Sequence, residues 1–238
     1  MLNIIKVFVK KNRIICGCFI VALAIIVLYI LTLNVKVLFP HAGDLFQILL
    51  QLAIGFVVSF VFYITQFFIP ERKRTQQANK CIQDRIQNIV GKMDDVFRRI
   101  FEKYNAHYEK NNVTNETFLE VFYKMVTNDR INVVAARRSW PERIDENSYY
   151  TVKEWIITRL EFVEHEIDCI FKYYSAYVTP ELMNVLEKIL GSTMHQNVAR
   201  ITLQSPVDLS FEKCSEDYFF KPYFDLMMEL ESLKDQYR

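Results

Sequence analysis

Glu161, Glu164, His165, Asp168 and Cys169 are the densest run of metal-ligating and proton-transferring side chains in the sequence. Carboxylate, imidazole and thiolate donors one helical turn apart could bind a soft divalent cation or relay a proton. The frames that put such ligands on one helix face for zinc or di-iron chemistry, His-Glu-x-x-His and Glu-x-x-His, are absent. At 3.6 residues per turn, Glu161, Glu164, His165 and Asp168 point away from the apolar stripe of their own segment. Glu161–His165 and Asp168–Lys172 are also ordinary i,i+4 charge pairs. A solvated helix face explains the set better than a metal centre.

Other chemistries find less support. Phosphate-cradling loops need glycine, and the five glycines stand in no Gly-x-Gly-x-x-Gly or Gly-x-x-x-x-Gly-Lys frame. No Gly-x-Ser-x-Gly elbow occurs, and His41, His107 and His195 have no evident nucleophile beside them. The expectation is a protein that is not an enzyme and has no cofactor, metal or evident small-molecule substrate. Cys16, Cys18, Cys81, Cys169 and Cys214 are an odd set without metal-ligand spacing. Arg130, Arg137, Arg138 and Trp140 could stack on nucleotides, touch anionic lipid headgroups, or simply form a solvated loop anchored by its Trp. The solvated loop is the favoured reading. The aromatic cluster Tyr218-Phe219-Phe220-x-Pro222-Tyr223-Phe224 is expected to fill a helical core.

The strongest signal belongs to the elements. Ile14 to Leu33 is an uncharged run of 20 residues, and Leu45 to Ile69 is another of 25. At about 1.5 Å per residue either run is long enough for the roughly 30 Å hydrocarbon core of a bilayer. A short turn, Asn34 to Asp44, separates them, so residues 1–70 are expected to form a transmembrane hairpin. The first run is too long for a signal-peptide core and ends without a small-residue cleavage site. Lys6, Lys10, Lys11 and Arg13 precede the first span, and Arg72, Lys73 and Arg74 follow the second. The positive-inside rule then sets both termini in the cytoplasm and the turn outside.

The second span is not uniformly apolar. Gln47, Gln51, Gly55 and Ser59 recur every four residues, and Gln66 follows seven later, so all share one broad face. Amides are costly against lipid, and Gly55-x-x-x-Ser59 is a small-xxx-small step that lets helix backbones approach. The stripe is therefore a helix-packing face against the first span, through Ala22, Ala24 and Thr32, or a pore-lining face between assembled hairpins.

Residues 71–238 carry 24 basic against 27 acidic side chains, a poor balance for general nucleic-acid binding. Helical patterning dominates. Ile82, Ile86, Ile89, Met93, Val96, Ile100 and Tyr104 alternate in steps of four and three along one face. Pro70 is expected to kink the helix or mark the membrane exit. Thr114 can cap a second helix through Phe118 and Val126, and Asn128 to Asn147 reads as an irregular or short-helical connection. Thr151-x-x-Glu154 is a capping-box signature opening a helix to about Val178, with core positions Val152, Ile156, Leu160, Val163, Ile167, Ile170, Tyr174 and Tyr177. Thr179-Pro180-Glu181 opens another that stops at Gly191, and two more follow around Thr193–Leu203 and Glu216–Lys234. No strand-period segment is evident, so this domain is expected to be an all-α cytoplasmic bundle.

This organisation resembles bacterial two-pass membrane effectors of phage-defence systems, including those carried beside some retrons. The resemblance rests on the basic N-terminus, the tight hairpin, the exit Phe67-Phe68-Ile69-Pro70-Glu71-Arg72-Lys73-Arg74 and the helical domain. The segment Tyr173 to Leu182, leading into the helix that ends at Gly191, adds to it. What the resemblance implies is an abortive-infection effector at the inner membrane. Its hairpin disrupts membrane integrity once the cytoplasmic domain is released or triggered. The implied partners are the lipid bilayer, further copies of the chain, and a reverse transcriptase with its DNA–RNA product or another defence-system regulator. An alternative is a membrane-anchored scaffold or sensor recruiting proteins through the helical domain.

Overall fold

The computed structural model describes residues 8–10, 12–32, 42–126, 128–134, 149–198 and 220–237. Lys6, Lys11, the turn residues 33–41, Arg137, Arg138, Trp140 and Cys214 lie outside these, as do the outer parts of two expected helices, 199–203 and 216–219. The chain divides into two compact units, Met1–Thr75 and Gln76–Arg238.

In the first unit, α1 (Arg13–Thr32) and α2 (Ala42–Tyr63) follow the two apolar runs closely. Helix is the expected state of such runs, because it satisfies every backbone donor and acceptor within the segment. Both α1 and the helical run that starts at Gly43 are long and apolar enough to cross a membrane. The two helices pack through small residues: Ala22 and Ala53 are each about 5% exposed or less, where the backbones come close. Aromatic rings extend this contact. Phe19 stacks on Phe60 with ring centres 4.2 Å apart. Phe8 meets Phe60 and Phe68 edge-on at 5.8 and 4.6 Å.

Beyond α2 the backbone widens into one π turn, Ile64–Phe68, closed by the Ile69 amide donating to the Ile64 carbonyl. Helix α3 (Ile69–Lys103) begins directly after it. In an unbroken α-helix the Pro70 ring would collide with the Gln66 carbonyl, four residues back. The π turn absorbs that conflict, and it places Pro70 in the first turn of α3, where no amide donor is needed. The expected kink is therefore a local widening.

The second unit is mostly helical. The apolar face of α3 is wholly interior: Ile82, Ile86, Ile89, Met93, Phe97, Ile100 and Phe101 are fully buried. Tyr104 lies just past the helix end, partly buried against the same core. Helix α4 (Asn115–Lys124) is capped as the sequence indicates, the Thr114 hydroxyl accepting from the Thr117 amide at 3.3 Å. Helix α5 (Val152–Tyr174) opens on a complete capping box, Thr151 Oγ1 accepting from the Glu154 amide and the Glu154 carboxylate from the Thr151 amide. Helix α6 (Pro180–Leu190) has Thr179 as its cap and Pro180 in its first turn, and it ends at Gly191. A second π segment, Met194–Val198, follows. Last comes α7 (Phe220–Leu233), which packs against α6 and α4 and runs on into a short 3-10 turn, Lys234–Tyr237.

One expectation fails here. The stretch expected to be irregular or short-helical contains strand β1 (Arg130–Val134), paired antiparallel with β2 (Tyr149–Thr151) through an irregular register. Among its described residues the domain is helical with one small ladder, held at its edge by the Val152 amide donating to the Asp129 carbonyl at 2.8 Å.

Candidate functional site

The polar stripe of α2 can now be placed. Gln47, Gln51, Gly55, Ser59 and Gln66 are all exposed. With Ala53 as the centre of the packed face and about 100° per residue, Gln47 to Ser59 fall on the opposite side of the helix. Packing of the stripe against α1 is thereby corrected. Of its three expected partners only Ala22 is buried, while Ala24 and Thr32 are exposed. The reason is volume. Alanine at 22 and 53 brings the backbones together with purely apolar contact, and amides there would hold them apart. Gly55 stands in open space, with nothing within 4 Å of where a Cβ would be. The stripe is thus a polar, partly side-chain-free face that the helix pair leaves uncovered.

The basic residues expected to set topology lie at the ends of the same pair. Lys10, Arg13, Lys73 and Arg74 are exposed and Arg72 is half-buried, whereas Lys6 and Lys11 lie outside the described residues. The thiols Cys16 and Cys18 sit on α1, half-buried and exposed respectively.

In the second unit the Glu161–Cys169 run lies on the outer face of α5, with Glu161, Glu164, His165 and Asp168 all exposed. The His165 Nε2 and Cys169 Sγ atoms approach to 3.8 Å. Among the described residues no group of three or more His, Cys, Asp or Glu could hold a metal ion. Of the arginine cluster only Arg130 is described, and it donates to the Tyr149 carbonyl at 2.7 Å, bracing the two strands.

Sequence reasoning missed the charged groups inside the bundle. Glu166, one residue beyond the solvated run, is 9% exposed and accepts from Arg85 of α3 at 2.8 Å. Burial works against the Arg85 charge, but Glu166, with Cys169 and Tyr174 nearby, holds the guanidinium pKa above its ordinary value. Two turns along, Asp95 accepts from Arg159 at 3.2 Å and Arg98 at 2.7 Å, while Arg159 lies 3.7 Å over the Trp155 ring. Tyr104 donates to Asp129 at 2.7 Å and accepts from the Val126 amide, and Tyr108 donates to Asp94 at 2.7 Å. Burial pushes both phenols well above their usual range. His195 lies 3.1 Å from the Tyr223 hydroxyl, and burial pushes its pKa down to about 4. Apart from Arg98, whose bond to Asp95 stays within α3, each of these groups ties one element to another. Signals existed for Tyr104 and Tyr223, both read as core positions, and for Glu166, which falls on the buried side of the α5 wheel.

No protein-family model, no curated protein and no solved structure matches the chain.

Proposed function

We propose that the chain is a two-pass membrane effector whose hairpins associate in the bilayer through the exposed polar face of α2 and so permeabilise the membrane. The observation that carries this reading is the position of Gln47, Gln51, Gly55 and Ser59 opposite the face that packs on α1, with Gln66 exposed in the π turn beyond them. An amide moved from water into hydrocarbon without a partner costs about 2–7 kcal/mol. Three glutamines directed at lipid are therefore a large penalty, which neighbouring copies or enclosed water relieve. Gly55 and Ser59 allow the close backbone approach that such an assembly needs. The basic flanks support an orientation with both termini in the cytoplasm, where the helical unit acts as the sensing or restraining part. The resemblance to phage-defence effectors supplies the setting: a toxin held silent until a defence-system partner is perturbed.

The test is membrane potential, read with a voltage-sensitive dye in bacteria induced to express the full chain. Depolarisation is expected with the natural sequence and its loss with Gln51→Leu/Ser59→Leu at unchanged protein level in the membrane. Depolarisation that survives the double substitution overturns the stripe as the permeating face. A chain that is membrane-bound yet electrically silent, even when the helical unit is destabilised by core substitution, is a membrane-anchored scaffold instead.

A further inference from the structure

An open groove of about 540 Å³ runs along one side of the contact between α1 and α2. Its walls are Ile14, Gly17 and Val21 from α1 and Leu49, Leu52 and Phe56 from α2, with Cys18 and Ala22 in its floor. Taking Ala22 as the centre of the packed face, Ile14, Gly17, Cys18 and Val21 fall to one side of it and Phe19 to the other. The stacked Phe19–Phe60 rings close the far edge, so the near edge stays open because glycine, cysteine and alanine leave it unfilled. A Cβ placed on Gly17 would meet nothing within 4 Å.

One end of this groove is charged. Ile14 is the first residue of its wall, and Arg13 is the residue before it, exposed, with exposed Lys10 three residues further back, before α1 begins. Arg13 also begins the 20-residue helix α1, whose positive dipole end and leading amides favour an anion at the same place. An apolar slot with the capacity of a long fatty chain therefore ends at a cationic mouth. That combination has the amphipathic pattern of one phospholipid: hydrocarbon along the slot, phosphate at Arg13 and Lys10.

From this juxtaposition we infer that the α1–α2 groove binds one acyl chain of an anionic phospholipid, with Arg13 and Lys10 holding its phosphate. The inference rests on α1 and α2 lying in a bilayer. The groove contains no polar group suited to a helix of a second copy, and the polar face of α2 that suits one lies elsewhere on that helix. Lipid is the occupant the chemistry selects.

Native mass spectrometry of the full chain, released from nanodiscs of phosphatidylcholine and phosphatidylglycerol in equal parts, reads the occupancy. One phosphatidylglycerol per chain is expected to survive activation that strips phosphatidylcholine. Lys10→Gln/Arg13→Gln should lower that retention at least tenfold, and so should filling the slot by Gly17→Leu or, from the other wall, by Leu52→Trp. Retention lost on neutralising the charges but kept in both slot-filling variants means headgroup attraction alone, and overturns the groove. Retention of both lipids alike, or a groove protected only when two chains share a nanodisc, also overturns it. Carbonate extraction of the same membranes separates the two readings. A chain released by carbonate refutes the membrane assignment itself, whereas an inserted chain without retained lipid refutes only this site.

Discussion

His195 shows how a single buried side chain ties stability to pH. Its folded pKa, about 4, lies below the ordinary value near 6.5, because burial disfavours the imidazolium. The unfolded chain therefore takes up a proton first as pH falls. The contribution of the neutral ring is complete above pH 6.5 and drains away towards pH 4, reaching about 3 kcal/mol by linkage. Urea midpoints measured between pH 7.5 and 4.5 should fall steeply in the natural sequence and much less with His195→Gln, which cannot titrate. The Arg85–Glu166 pair makes a different demand. Arg85→Ala leaves a carboxylate buried without its partner and should cost about 2–3 kcal/mol. Glu166→Gln keeps an acceptor for a guanidinium that water can still reach, and should cost less than half of that. Chemical denaturation of both variants checks the order, and equal losses would mean that the pair is solvated in practice.

At the scale of elements, the legible features were those carried by local periodicity and local hydrogen bonds. The α3 stripe from Ile82 to Ile100, the Thr151–Glu154 box, the Thr179-Pro180 start and the Gly191 stop all depend on residues within four positions of one another. Thr151→Ala should therefore cost about 1 kcal/mol, read as a lower thermal midpoint, and Thr179→Ala a similar amount. Thr179 also receives a second bond, its amide donating to the Tyr237 hydroxyl at 2.8 Å, so Tyr237→Phe should add to the loss at that helix start. The strand pair was illegible for the complementary reason. Strands of five and three residues give no period to count, and the segment joining them hides their pairing from any local window. The α2 stripe lies between these cases. Its spacing was evident in Gln47, Gln51, Gly55 and Ser59, and Ala22 was named on α1, but which side of α2 met α1 depended on Ala53, which no spacing singles out among the apolar residues of that helix.

For the molecule as a whole, the division at Thr75 separates two kinds of surface as well as two compact units. The first unit exposes Ile14, Leu31, Leu52 and Val58, each more than half accessible, whereas the second buries its aliphatic residues in one core. Residues 76–238 produced alone should consequently be soluble and unfold in a single cooperative thermal transition, while residues 1–75 alone should require detergent. A second unit that aggregates at low concentration would show that its core needs the rest of the chain. That core also has a history in time. Phe97 of α3 is closed over by Phe224 of α7, ring centres 5.3 Å apart and 127 positions later in the chain. At a ribosomal pace of about 5–20 residues per second, Phe97 emerges roughly 6–25 s before the ring of α7 that closes over it. The nascent chain thus passes through an interval in which α4 and α5 can already pack on α3 while Phe97 still lacks its last neighbour, and the core closes only when α7 arrives.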